Sequence, residues 1–236
     1  MQETTPQSPQ MTPVKNHDAS FVPPYFIGIA GGTAAGKRDV SARLREALPL
    51  TVGMIKLDSF HCQLSEKDLS HVHDYNFDHP SSFDFDEFVD CLERLRNGER
   101  VEIPVYDYVQ HRRLDDKTCS IYRPDIIIVE GSLVFTDSRV VSIMDLKLFV
   151  DDDVDSRLSR RVLRDTTVKG RNVNDVIERW IHHIKPAYDE FCEPSKRHAD
   201  VIIPKGTTNV VAVDLVIMML RERSRKLGIP IDSPAP

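Results

Sequence analysis

The segment GGTAAGKR, Gly31 to Arg38, is the part of this sequence best suited to chemistry on phosphate. It follows an apolar run, Phe26 to Ala30, and precedes a helical pattern, the setting in which G-x-x-x-x-G-K-[ST] forms a phosphate cradle. The small residues Gly31, Gly32, Thr33, Ala34, Ala35 and Gly36 let successive backbone N–H groups turn inward. The helix start adds partial positive charge, and Lys37 reaches the β- and γ-phosphates. A nucleoside triphosphate with Mg²⁺ is the ligand pair such a loop implies. The residue after the lysine should present a Ser or Thr hydroxyl to Mg²⁺, and here it is Arg38, which has donors only. Its guanidinium suits a phosphate oxygen instead. Asp39 adds negative charge beside it. The plainer alternative is a glycine-rich turn with a surface lysine.

Two carboxylates stand where phosphoryl transfer needs them. Asp58 follows the apolar run Val52 to Leu57, and Glu130 follows Ile126 to Val129, which puts both at the carboxyl edge of a sheet, where ligands of open α/β sheets bind. Asp58 suits the acceptor hydroxyl and Glu130 suits Mg²⁺, with Asp58 a second candidate for the metal. As isolated residues they would equally serve as caps of the following turns.

These groups require a scaffold. Short apolar runs at Tyr25 to Ala30, Val52 to Leu57, Ile126 to Val129, Leu146 to Val150 and Val201 to Ile203 alternate with helical patterns. The helices expected are Arg38 to Ala47, Phe85 to Arg96, Val154 to Asp165, Val173 to Cys192 and Val210 to Lys226. The alternation predicts an α/β fold of P-loop NTPase type, a mainly parallel sheet with helices on both faces. Val101 to Tyr122 breaks the pattern and reads as a β-hairpin arm over the acceptor site, with Pro104 acceptable only on an edge. Arg157, Arg161 and Arg164 fall on one helix face, either converging on phosphate oxygens or paired with nearby aspartates.

At 236 residues one domain is expected over residues 21–228, with residues 1–20 and 229–236 as polar or proline-rich disordered tails. A formal charge of -6 argues against nucleic acid or an anionic membrane as partner. Cys62, Cys91, Cys119 and Cys192 are far apart, which predicts neither a zinc site nor a disulfide framework and fits a reduced, cytoplasmic setting.

Taken in order, the phosphate loop, DSFH from Asp58, NFDHP from Asn76, PVYDYVQHRR from Pro104, VEG from Val129, LSRRVLRD from Leu158, KGR from Lys169, KPAYDEFCEP from Lys185 and ADVIIP from Ala199 resemble uridine-cytidine kinases. The resemblance runs over about Phe26 to Leu220. It implies transfer of the ATP γ-phosphate to the 5′-hydroxyl of uridine or cytidine, a step of pyrimidine salvage, by a homotetramer. It also implies roles for Asp58 as general base, with Lys37 and Arg164 serving the transferred phosphate, and for Asp78 on the ribose hydroxyls. Tyr106 and His111 would read the base, with Tyr108 as a wall; Arg161 and Arg171 would approach the sugar, and Arg164 and Lys169 the phosphates in a lid. The sequence departs from the family where His61 replaces a base-enclosing Tyr, Arg179 replaces a Gln near the ribose, and Thr208 replaces an acid in the adenine loop. Asp39 stands where a hydroxyl residue is usual. With Arg38, these departures lie in the site, so a non-catalytic nucleotide-binding partner subunit is the alternative.

Overall fold

The computed structural model of the protein describes residues 21–48 and 50–226. The two expected tails lie outside those residues. Five strands, β1 (Tyr25–Ala30), β2 (Val52–Lys56), β5 (Ile126–Glu130), β6 (Leu146–Val150) and β7 (Val201–Ile203), form one parallel sheet in the order β2-β5-β1-β6-β7. Strands β3 (Val101–Asp107) and β4 (Arg112–Ile121) pair only with each other, as the expected hairpin arm. Pro104 is tolerated because each strand of a two-stranded ribbon has a free edge, and the register shifts between Pro104 and Tyr106.

The apolar strands are buried on both faces because their alternating side chains feed two separate cores. Phe26, Ile127, Val129 and Phe149 point to one face, where α3 (Phe85–Arg96) and α4 (Ser138–Ile143) pack with the base of the hairpin. Ile27, Ile29, Ile128, Leu148 and Val150 point to the other, against α1 (Lys37–Ala47) and the last helix, Val210–Lys226. In the last helix Val213, Val216, Ile217 and Leu220 repeat at helical spacing and are buried. The Asp84 carboxylate caps α3 by accepting the Glu87 N–H at 2.9 Å, so the helix starts where its apolar stripe begins.

Two expectations need correction. Glu130 is the last residue of β5 rather than the first after it, since it pairs with Lys56 and Ile29 in the ladder. The single helix expected over Val173 to Cys192 is instead α6 (Val173–Arg179) followed by π turns at Trp180–Ile184 and Tyr188–Cys192 with short α segments between and after them. The cause is Pro186 and Pro194, each without an N–H and each crowding the carbonyl four residues back. The residue before each proline donates five residues back instead, Lys185 to Trp180 O and Glu193 to Tyr188 O, which keeps the rod continuous.

Leu92, fully buried in α3, belongs to the core that seats the hairpin. Leu92→Ala is expected to cost about 2–5 kcal/mol in urea denaturation.

Candidate active site

Strand order builds the site. Strand β5 lies between β2, which leads to Asp58, and β1, which leads to the phosphate loop, so Glu130 at the end of β5 stands between them. Asp58 lies in the single 3-10 turn Leu57–Phe60 that ends β2. Helix α1 begins at Lys37 behind Gly36, whose φ of 99° is left-handed and favours glycine. Ala34 also takes a left-handed φ of 60°, a strained conformation in the middle of the cradle.

The Lys37 ammonium donates to Gly31 O at 2.8 Å, Gly32 O at 3.0 Å and Ser132 Oγ at 3.2 Å, which fixes it over the loop. Burial pushes its pKa below the ordinary lysine range, while the charges of Asp58 and Glu130 act in the opposite direction. Ser132, just after β5, was not singled out from the sequence. Arg38 and Asp39 are exposed on the first turn of α1, and the Arg38 side chain makes no hydrogen bond or ion pair with the described residues. Glu130 is buried and accepts the Ser41 hydroxyl at 2.9 Å.

Of the three arginines expected on one face of α5 (Val154–Thr167), Arg157 does not join an anion cluster. It is 1% exposed, its guanidinium carbon 3.9 Å from the Tyr188 ring centroid and 5.6 Å from that of Trp180. Its Nε donates to Asp152 O at 3.2 Å, and Nη1 has no hydrogen-bond partner. A Cβ on Gly32 would collide with that Nη1, so the glycine admits the buried cation against the back of the loop. Arg161 Nη1 donates to Thr33 Oγ1 at 2.8 Å, bringing α5 onto the loop.

The remaining cations gather on Asp165, which is fully buried. Arg164 Nε lies 2.8 Å from it, Lys169 Nζ and Arg171 Nη1 3.4 Å, and Arg161 Nε 3.6 Å. Burial alone would raise the Asp165 pKa, but the Arg164 hydrogen bond and the charges of Arg161, Arg164 and Lys169 outweigh it and hold it below the usual carboxylate range. Thus the four cations expected at sugar and phosphates come together around Asp165.

On the other side stands a cluster of aromatic rings. Phe77 stacks on His111 with centroids 5.0 Å apart, meets His61 edge-on at 5.7 Å and lies 5.6 Å from the Arg179 guanidinium. In the sequence the only signal for Phe77 is an aromatic residue beside the acid of NFDHP. The arm brings the Tyr108 hydroxyl to Asp58 Oδ2, where it donates at 3.2 Å, so Tyr108 is a polar partner of Asp58 as well as a wall. Tyr106 is buried and its hydroxyl has no hydrogen-bond partner; burial pushes its pKa up to about 12.

His61, in the place of a base-enclosing Tyr, is buried against Phe83 at 4.2 Å with Nδ1 3.1 Å from Ser82 O. Burial pushes its pKa below the ordinary histidine value, and Nδ1 therefore carries the proton it donates. Asp78 lines a cavity together with Gly32, Thr33, Ser132, Leu133 and Tyr188. Its pKa is raised by burial, against the charges of Arg161 and Arg179. Arg179 donates to Tyr75 O at 3.4 Å. Thr208 lies on the turn Gly206–Thr208, which packs on the phosphate loop at Ala35 O, and its hydroxyl donates to Lys205 O at 2.7 Å.

The pairing of Asp165 sets a pH dependence. Because its folded pKa is depressed, its stabilisation is present above the ordinary carboxylate pKa and is lost as pH falls through the folded value, from roughly pH 4 downward. Asp165→Asn should lower stability by about 1.5–3 kcal/mol at pH 7. The gap from wild type should narrow progressively as the pH is lowered below about 4 in urea denaturation; a pH-independent gap would show that the charge is not its source.

Comparisons with known proteins identify the family and the fold. Residues 26–212 match the family model described as Phosphoribulokinase / Uridine kinase family. The chloroplastic uridine/cytidine kinase UKL1 of Arabidopsis thaliana is 46% identical over 194 residues, 82% of this chain and 40% of that protein. A uridine kinase of Streptococcus uberis is 43% identical over 194 residues, 82% of this chain and 92% of that protein. The chain thus spans about two fifths of the Arabidopsis relatives it matches. Among solved structures, phosphoribulokinase from Rhodobacter spheroides superposes with a TM-score of 0.58 at 14% identity, covering 77% of this chain and 70% of that one. The fold is therefore that of a P-loop kinase, and by sequence the chain belongs to the phosphoribulokinase/uridine kinase family.

Proposed function

We propose that the protein is a nucleoside kinase that transfers the ATP γ-phosphate to the 5′-hydroxyl of uridine or cytidine. The observation that carries the reading is the position of Asp58, with its Tyr108 partner, at the same sheet edge as the phosphate loop, together with the cavity that Asp78 lines and the ring cluster of Phe77, His111, His61 and Tyr106. An orphaned buried hydroxyl on Tyr106 calls for a polar ligand, and flat aromatic walls suit a nucleobase. Asp78, reachable from the cavity and near the charges of Arg161 and Arg179, suits paired ribose hydroxyls. Asp58 orients the acceptor hydroxyl and takes its proton, while Lys37 and the lid cations Arg164 and Lys169 face the phosphates, with Arg171 toward the sugar. Gly31 to Gly36 hold the triphosphate, and Thr208 borders its adenine end.

The donor set fits ATP with Mg²⁺. Among the described residues no cluster of three or more His, Cys, Asp or Glu forms a metal cage, so the ion would take Glu130, with Asp58 beside it, plus phosphate oxygens and water. When bound, Mg²⁺ neutralises charge on the transferred phosphate. Arg38 supplies no oxygen, which favours a weaker Mg²⁺ requirement and supports, as a second reading, a partner subunit that binds nucleotide without turning over. No helix of the described residues is long and apolar enough to cross a membrane. Assembly as a homotetramer, a cytoplasmic setting and a place in pyrimidine salvage belong to the same proposal.

Purified protein with ATP, Mg²⁺ and uridine or cytidine should yield the monophosphate; ATP binding without product would favour the second reading. Asp58→Asn should slow transfer ~10²–10⁴-fold with both substrates still bound. A variant matching wild-type turnover would remove Asp58 from the chemistry. Asp78→Asn should weaken nucleoside binding by roughly 1.5–3 kcal/mol in calorimetry while ATP affinity is kept. Equal losses for both ligands would make Asp78 a structural residue.

A further inference from the structure

We infer that Ser41 is a positioning residue for Glu130, holding its carboxylate by a hydroxyl hydrogen bond from the second turn of α1. The inference rests on the reading of Glu130 as the carboxylate that faces Mg²⁺.

Lys37 and Ser41 are four residues apart on α1 and so share a face, the one turned to the sheet edge, while the side chain of Arg38 points to solvent. Ser41 is fully buried, and its Oγ lies 2.9 Å from Glu130 Oε2, 89 positions away in sequence. It also lies 2.9 Å from Lys37 O. A serine hydroxyl has one proton, so only one of these contacts is a donated bond. In an ordinary helix it would return to the carbonyl four residues back. Here the competitor is a buried carboxylate, and a charge-assisted bond to it is roughly twice as strong as a neutral one. Glu130 is 8% exposed, and a carboxylate so enclosed costs free energy unless its oxygens are met. The Ser41 proton therefore goes to Oε2, fixes the Glu130 rotamer, and keeps Oε1 for a cation or the water around it. Ser41 need not touch the metal; it acts through Glu130, as partners of ligating groups do.

The test is the Mg²⁺ dependence of ATP binding, followed by calorimetry with a non-hydrolysable ATP analogue at rising Mg²⁺. Ser41→Ala should raise the Mg²⁺ concentration for half-maximal enhancement about 10–100-fold, while affinity for the metal-free analogue stays within twofold. Ser41→Cys, of similar volume and with a weak donor, should fall between the two and stands in if Ser41→Ala does not fold. Glu130→Gln separates the two claims. If Glu130→Gln blunts the Mg²⁺ response and Ser41→Ala does not, the hydroxyl merely serves the Lys37 carbonyl and the inference fails. If neither variant alters the response, the reading of Glu130 fails and takes this inference with it. Equal weakening of metal-free and Mg²⁺-bound affinity in Ser41→Ala would also overturn it, since that is the mark of a damaged loop.

Discussion

The arrangement depends on positive charge buried at both sides of one glycine pair. Lys37 lies over Gly31 and Gly32 on the ligand side, held by their carbonyls, and Arg157 presses on Gly32 from behind, sandwiched by Tyr188. Neither cation is neutralised by a direct ion pair among the described residues. Their charge in a poorly solvated setting is tolerable because loop carbonyls, ring faces and the nearby Asp58 and Glu130 offset it, and it leaves a site biased toward anions before any ligand arrives.

That constraint explains several features remote from the loop. Arg157 needs Tyr188 and Trp180 at its guanidinium, and both rings come from the helical rod after Asn172. The rod contains two prolines yet stays continuous through π turns, and Tyr188 itself opens one of them. A turn with one extra residue rotates the side chains that follow it by a large fraction of a helical turn, so the π turns set which residues of the rod reach α5. Arg161 then ties α5 to Thr33, and Asp165 collects the cations at the far end of the same helix.

Asp165 and Asp58 illustrate two uses of a carboxylate within one site. Asp165 is closed off and saturated with cations, so its role is to hold Arg161, Arg164, Lys169 and Arg171 in one place against their mutual repulsion. Asp58 is half-buried and meets a neutral phenol at one oxygen in place of a set of cations. Burial and partner charge, rather than residue type, assign the two roles.

The sequence by itself determined the parallel sheet, its five strands, the hairpin arm and the phosphate loop. Each is written in local terms: apolar runs of strand length, a helical period after Gly36, and small residues at fixed offsets from Lys37. It also placed Asp58 and Glu130 at one sheet edge, because a strand's end is local information. Only the tertiary structure decided which groups meet. The Tyr108 bond to Asp58 spans 50 positions, Ser41 to Glu130 spans 89, and Arg161 to Thr33 spans 128. Such contacts depend on strand order and on the rotation of each helix against the sheet, neither of which a hydrophobic period encodes. For the same reason Arg157 was legible as a member of an arginine face but not as a cation buried beneath aromatic rings. His61 was legible as a titratable side chain, but not as one that burial between Phe83 and Tyr106 keeps uncharged.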